Sequence, residues 1–404
     1  MEKDRLLPMT NDEPARTRVK EPEHSQRLLS LDALRGFDMF WIIGGDALSK
    51  FLSRATDSSL LDWWGARAGA WGFTRGQMFH ANWHGFTAYD LIFPLFLFIA
   101  GVAMPFSFAK RQATGDSARV HWHVVRRGLL LVLFGMIYNG FLQFPGENTR
   151  FCSVLGRIGL AYMFAGLIFL HTDWRKQIAI VVGLLLGYWA LLMAVPYPGG
   201  EAGAIDDYRT IVAYLDRMLI PGRFYVENAH DPEGLVGTIP AIATALMGAL
   251  TGTMLRCTTC SPKRKVQALF GLALALLLVG WLWGLVFPHN KNLWTSSFAV
   301  FCAGWSVALL GVFYGIIDVL GWRRWSYFFV VIGANSIFIY LATVMIDFSH
   351  TAQFLLGGLI GPTRDATVEP AVIAMRSAQF SVGVIALEWL LLWVMYKKRI
   401  FLRV

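Results

Sequence analysis

Two histidines and one carboxylate are spaced for acid–base chemistry in the segment HANWHGFTAYDLIFP. His80 and His84 precede a long apolar block, and Asp90 lies near the start of that block. A carboxylate beside an imidazole fixes the tautomer of the ring and raises its basicity. The segment therefore contains a candidate general base and its orienting carboxylate. The same residue types and spacing also fit a histidine that only bridges lipid headgroups or backbone groups, as histidines at membrane interfaces often do.

Other polar residues stand at or inside apolar blocks, where burial is costly and a function is the default expectation. Arg35 can pair with Asp32 at a spacing of three residues, anchor the chain at the membrane, or meet a phosphate. Asp231 and Glu233 suit either the N-terminus of a helix or a carboxylate site for a cationic substrate. The remaining candidates are Asn290, Lys291 and Asn292 before one block, and Asn335 and Ser336 inside another.

Long apolar blocks must position these residues. The chain has 404 residues, of which 55% are apolar, 14% aromatic and 16% charged, whereas soluble domains have about 25% charged residues. This composition excludes a disordered chain, and blocks of about 20 apolar residues match the thickness of a bilayer. Because the blocks do not alternate with period two, they must be helices. We predict an all-α polytopic membrane helix bundle of about ten spans: 33–49, 87–108, 125–143, 154–171, 177–195, 236–255, 266–287, 296–319, 327–346 and 377–396.

The basic residues predict the orientation of the bundle. The formal net charge is +9, and most of the 36 Lys and Arg residues lie in the tails and short loops on one side of the predicted map. By the positive-inside rule, both termini face the cytosol. The positive charge is thereby explained without a nucleic acid partner. The longer segments that then face outward are 50–86, 144–153, 196–235 and 347–376.

The N-terminal residues and the cysteines carry no site of their own. Residues 1–26 are polar and contain Pro14 and Pro22, so we expect a disordered cytosolic tail before a single transmembrane domain over 27–404. Cys257 and Cys260 form a lone CxxC in a basic loop, which we interpret as two reduced thiols because a zinc site needs a second ligand pair. The sequence holds no P-loop, GxSxG or HExxH motif. We therefore expect neither a metal nor ATP-driven transport.

Seven segments together resemble one known family, the heparan-alpha-glucosaminide N-acetyltransferases. In chain order they are RLLSLDALRGFDMF, HANWHGFTAYDLIFPLFLFIAG, LGRIGLAYMFAG, AYLDRMLIPGRFY, DPEGLVGTIPAI, FPHNKNLWTSSF and IGANSIFIY. HANWHGFTAYDLIFP, DPEGLVGTI and NKNLW are too long and idiosyncratic for chance matches. The resemblance implies that His80, within the His-Ala-x-Trp stretch, is the catalytic histidine. It also implies that Asp90 is the family's aspartate ahead of Phe-Pro.

The resemblance carries expectations about activity. The lysosomal member of the family takes acetyl-CoA from the cytosolic side and passes the acetyl group across the membrane to the amine of a terminal glucosamine. A similar protein would be a transmembrane N-acetyltransferase with acetyl-CoA as co-substrate and an amino sugar as acceptor, and His80 would act as base or as acetyl carrier. The expected acetyl-CoA ligands are Arg35, Arg126, Arg127, Asn335 and Ser336. The expected acceptor ligands are His84, Asp231, Glu233, Asn290, Lys291 and Asn292.

The sequence departs from the lysosomal member at two places. His84 stands where that enzyme has Asn, and the polar residues 1–26 stand where it has a lumenal domain and an extra span. We therefore expect a bacterial inner membrane protein, in contact with the bilayer, with His80 on the outer, periplasmic side; a homodimer is left open. Two other functions stay open. One is a membrane O-acyltransferase of the acyltransferase-three type, and the other is an amino-sugar transporter without chemistry.

Overall fold

The regular structure of the protein is helical. A computed structural model describes residues 28–56, 63–65, 76–112, 117–143, 149–226, 229–365 and 367–402. The helices of these residues are α1 (Leu29–Phe40), α2 (Asp46–Ala55), α3 (Ala88–Gln112), α4 (Ser117–Tyr138), α5 (Val154–His171), α6 (Trp174–Ala194), α7 (Ile211–Leu219), α8 (Thr238–Leu255), α9 (Pro262–Gly284), α10 (Ser296–Phe313), α11 (Tyr327–Ala334), α12 (Ser336–Met345), α13 (Phe348–Ile360) and α14 (Pro370–Lys397). The tail expected to be disordered, 1–26, lies outside the described residues.

The predicted membrane bundle is confirmed. In the described part of the chain, eight helices are long and apolar enough to cross a bilayer, or nine if α11 and α12, bent by 72° at Asn335, form one span. The first predicted span, 33–49, falls on α1 and α2, which are joined by a π-helical turn over Trp41–Gly45. Gly44 has φ 141° there, a conformation that only glycine adopts readily. The helix is therefore broken inside the predicted span.

Helix α3 lies at the centre of the bundle, and 83% of its most apolar 18-residue stretch is buried. Gly101 and Gly248 let α3 and α8 pack closely, because any larger residue at either position would place its β-carbon against the backbone of the facing helix. Gly36 and Gly333 allow the same close approach between α1 and α11. Small residues at such contacts let membrane helices pack backbone to backbone. The central position of α3 matters because its first turn carries Asp90.

The loop between α8 and α9 corrects one expectation. Cys257 and Cys260 form a disulfide bond, so the interpretation as two reduced thiols is wrong. The loop turns tightly enough to place their Cα atoms 5.6 Å apart, which lies within the range that a disulfide requires.

Candidate active site

The predicted histidine–carboxylate pair is present in the structure. His80 Nδ1 lies 2.7 Å from Asp90 Oδ1. The second oxygen of Asp90 accepts hydrogen bonds from the backbone N–H groups of Ala81 and Thr87, both at 3.2 Å. The bond to Thr87 ties the carboxylate to the residue before α3, as in one half of a capping box. Because an ionised carboxylate only accepts hydrogen bonds, we infer that Nδ1 carries the proton and that Nε2 is the basic nitrogen.

Lys291 completes this group, which we call the dyad site (His80, Asp90 and Lys291). Its Nζ lies close to both ring nitrogens of His80, 3.0 Å from Nδ1 and 3.1 Å from Nε2, and 3.9 Å from Asp90 Oδ1. Burial lowers the pKa of Lys291 below its usual value, although the charges of Asp90 and Glu233 act in the opposite direction. The lysine comes from the loop between α9 and α10, 211 residues away in sequence. The structure thus brings this predicted acceptor ligand directly to the candidate base.

A cavity of about 300 Å³ begins at the dyad site. We call it the dyad cavity. His80, Lys291 and Tyr89 line it at this end, and the His80 side chain is 48% exposed. The other lining residues are mostly apolar and come from α1, the turn after it, α3, α4, α5 and α12: Met39, Ile42, Ile92, Phe93, Phe96, Tyr138, Val154, Leu155, Ile158, Ile337 and Tyr340. The dyad cavity thus joins a polar site to a largely apolar lining.

Two predicted phosphate ligands lie outside the lining of the dyad cavity, near helix positions one turn from lining residues. Arg35 precedes the lining residue Met39 by four positions on α1, and the Arg127 guanidinium lies 4.5 Å from the ring of Tyr162. Tyr162 follows the lining residue Ile158 by four positions on α5, a rise of about 6 Å. Arg35 forms an ion pair with Asp32 at 3.5 Å. Arg127 Nε is buried and has no hydrogen-bond partner among the described residues.

The other expected acetyl-CoA ligands lie differently. Arg126 is exposed on α4. Asn335 is buried at the bend between α11 and α12, where its amide donates to the Ile400 carbonyl and accepts from the Leu402 N–H, each at 3.0 Å. Both polar ends of Asn335 are therefore used by the C-terminal segment. Ser336 is buried at the start of α12, directly before the lining residue Ile337.

The two predicted carboxylate ligands form a closed ion-pair cluster with Arg150, a residue that the sequence interpretation missed. Arg150 contacts both oxygens of Asp231 at 2.7 Å and also bonds to Glu233. Asp231 is buried and additionally accepts the backbone N–H of Tyr225. Burial raises the pKa of Asp231, but the bonds to Arg150 outweigh this effect and hold the pKa below its usual value. We call these three residues the Arg150 cluster (Arg150, Asp231 and Glu233).

The remaining predicted acceptor ligands brace the loops around the dyad site. His84 bonds to Asp206 at 3.0 Å and lies 3.3 Å from the amide nitrogen of Asn290. Asn290 is fully buried, and its side-chain oxygen accepts the N–H of Leu293. The Asn292 carbonyl lies 3.2 Å from His230 Nε2. The structure therefore separates His84 from the Asp90 pair and places it in a second network.

The chain is similar in sequence to known proteins. The human heparan-alpha-glucosaminide N-acetyltransferase is 26% identical over 80% of this chain and 55% of its own length. The mouse protein of the same name is 24% identical over 80% of this chain and 56% of its own length. The resemblance inferred from the motifs is thus confirmed, although the chain spans about half the length of these curated relatives. Residues 27–256, more than half of the chain, match a family profile described as a domain of unknown function, DUF5009, and the chain belongs to that family.

Proposed function

We propose that the protein is a membrane-embedded acetyltransferase that moves the acetyl group of acetyl-CoA to the amine of an amino sugar. The observation that carries the proposal is the His80–Asp90 pair at the mouth of the dyad cavity. A half-exposed histidine that is paired with a buried carboxylate and lines a largely apolar cavity fits a base that meets a reactive group held in that cavity. The names of the human and mouse relatives support the same chemistry.

The arrangement of the dyad cavity suits the donor. Acetyl-CoA has a phosphate-bearing nucleotide at one end, a thioester at the other and a flexible chain between them. Arg35 and Arg127 would hold the phosphates, because guanidinium groups match phosphate oxygens. The chain would then follow the apolar lining towards His80. The unpartnered Nε of Arg127 supports this assignment, because a buried donor without an acceptor is costly unless a ligand satisfies it.

The dyad site can supply the acid–base chemistry of transfer. An amine attacks a thioester only in its neutral form, so a C–N bond forms while a proton is lost to a base. His80 Nε2 would take this proton, and Asp90 would stabilise the imidazolium that results. The Lys291 ammonium would stabilise the negative charge that develops on the thioester oxygen. When the C–S bond breaks, His80 would return a proton to the leaving thiolate.

Direct transfer needs one arrangement of these groups, whereas an acetyl-histidine intermediate needs two successive ones. We therefore favour direct transfer. The positive-inside bias of the sequence supports a membrane orientation with the arginines on the cytosolic side and His80 on the outer side. A bacterial inner membrane would suit this orientation.

The test is release of CoA by the purified protein in detergent. Acetyl-CoA is supplied with glucosamine, with N-acetylglucosamine, which has no free amine, or alone. The proposal predicts release that depends on glucosamine, and loss of this release in His80→Ala but not in the matched variant His84→Ala. Release of equal size with N-acetylglucosamine would instead indicate an O-acyltransferase. Uptake of labelled glucosamine into proteoliposomes without CoA release would indicate a transporter.

A further inference from the structure

A second, larger cavity of about 730 Å³ opens beside the broken helix α1–α2. We call it the acidic cavity. Its lining comes from the turn at Gly44, α2, the end of α12, α13 and α14, and includes the carboxylates Asp46, Asp347 and Glu388. Its described lining contains no Lys, Arg or His. The volume lies in the range of about 300–1,000 Å³ that is typical of small-molecule sites.

Glu388 is the unusual member of this lining. It is 2% exposed, and its Oε2 has no hydrogen-bond partner among the described residues. The other two carboxylates are satisfied. Asp46 pairs with Lys50 at 2.8 Å, and Asp347 accepts the backbone N–H of His350 at the start of α13. An acidic residue inside a membrane helix without a cation is costly and points to a function.

The acidic cavity adjoins the dyad cavity. Ile42 lines both cavities. On the same wall, Asp46 of the acidic cavity accepts a side-chain hydrogen bond from Tyr89 of the dyad cavity. The Tyr89 ring in turn packs on His80 with the ring centroids 4.7 Å apart. A layer one side chain thick therefore separates the two cavities next to the candidate base.

We infer that the acidic cavity binds the protonated, ammonium form of the acceptor, with Glu388 as its counter-ion, before the acceptor meets His80. The identity of the acceptor as an amino sugar rests on the proposed function, whereas the affinity for a primary ammonium group rests on the cavity alone. The two cavities then sort the two forms of the amine. An ammonium group bound beside Glu388 would stabilise its ionised carboxylate as the counter-ion, whereas Lys291 beside His80 would repel the cation, so that the neutral, nucleophilic form is favoured at the dyad site.

The test is direct binding of glucosamine, without acetyl-CoA, measured by titration calorimetry on the full chain in detergent. The variants are Glu388→Gln, which keeps the shape but removes the charge, and Glu369→Gln, a matched change at the exposed N-cap of the same helix. We expect tenfold or weaker binding in Glu388→Gln and unchanged binding in Glu369→Gln. Ser381→Leu, which fills the cavity without changing a charge, should also weaken binding and serves if Glu388→Gln does not fold.

The outcomes separate this inference from the proposed function. Glucosamine binding that depends on Glu388, without any CoA release, would leave the cation site standing and refute the acetyltransferase. Glucosamine-dependent CoA release with the same binding affinity and the same KM in Glu388→Gln and wild type would refute the acidic cavity as the acceptor site. N-acetylglucosamine binding as tight as that of glucosamine would also refute it, because the acetylated sugar carries no ammonium group.

Discussion

The dyad site and the Arg150 cluster lie near each other in the bundle and contain similar groups, yet they differ in how far their side chains are exposed to a cavity. In the dyad site, Asp90 is buried while the His80 side chain is 48% exposed towards a cavity. In the Arg150 cluster, the Asp231 side chain is fully buried and Arg150 occupies both of its oxygens. Chemistry needs a group that a substrate can reach. The dyad site exposes one to a cavity, whereas the Arg150 cluster consists of groups that bind one another.

The same contrast separates two arginines. Arg150 faces two carboxylates and also lies over the Tyr225 ring. Arg127 lies over the Tyr162 ring, but its Nε has no partner among the described residues. We therefore propose a structural role for Arg150 and a ligand-binding role for Arg127. Five substitutions, one of them followed across pH, test this division, from the largest expected effect to the smallest.

The dyad site should fail first in chemistry. His80→Ala removes the general base, and such a loss typically costs about 10²–10⁴-fold in rate. We expect kcat for CoA release to fall by this factor while the affinity for acetyl-CoA stays near that of wild type, because the arginines and the apolar lining remain. Steady-state kinetics with glucosamine, together with equilibrium binding of acetyl-CoA, measure the two quantities.

Asp90→Asn separates the two parts of this effect. The amide keeps the shape but cannot stabilise an imidazolium, so kcat should fall while His80 stays in place. Normal turnover in both variants would remove the dyad site from the mechanism.

A substitution in the Arg150 cluster should lower the stability of the protein and not its rate of transfer. Asp231→Ala leaves a largely buried guanidinium with only Glu233 as its counter-ion. Breaking a buried ion pair from one side costs about 3–5 kcal/mol. We expect a clear loss of thermal stability in detergent, whereas the protein that remains folded should keep its kcat. Asp207→Ala, which removes an exposed carboxylate bonded to Arg209, is the control and should change the melting temperature little.

These two outcomes also mark how far the sequence could lead. The apolar blocks predict the helices, and the spacing of His80 and Asp90 predicts that the two residues pair. This pair depends on nearby residues alone, because a capping hydrogen bond at the start of α3 holds Asp90 in place. Arg150 lies 81 residues from Asp231, and their pairing follows from helix packing that no local pattern encodes. The break at Gly44 was equally hidden, because a glycine within an apolar block is common in membrane helices. Glu388 carried a signal, a lone carboxylate inside a predicted span, which the sequence interpretation left unused.

A third test compares His230, a buried histidine in the loop before α8, with the half-exposed His80. Burial lowers the pKa of His230 from 6.5 to about 4. The folded state therefore binds this proton less readily than the unfolded state. Its stabilising contribution is present above about pH 6.5 and is lost as the pH falls towards 4, by at most about 3 kcal/mol. Melting temperatures from pH 8 to pH 4 should fall less steeply in His230→Gln than in wild type, and parallel curves would contradict the assignment.

The smallest effect is expected at Arg127, which lies outside the lining of the dyad cavity. Arg127→Gln removes a charge whose Nε has no protein acceptor in the described residues, so the folded protein should lose little stability. If that charge holds a phosphate of acetyl-CoA, its loss should weaken binding by about 1.5–3 kcal/mol, the range for a hydrogen bond to a charged group. Arg126→Gln is the matched control, because Arg126 is next to Arg127 on the same helix and is exposed. Equilibrium binding of acetyl-CoA should distinguish the two variants. Equal affinity of the two variants for acetyl-CoA would indicate that Arg127, like Arg150, has a structural role and binds no phosphate.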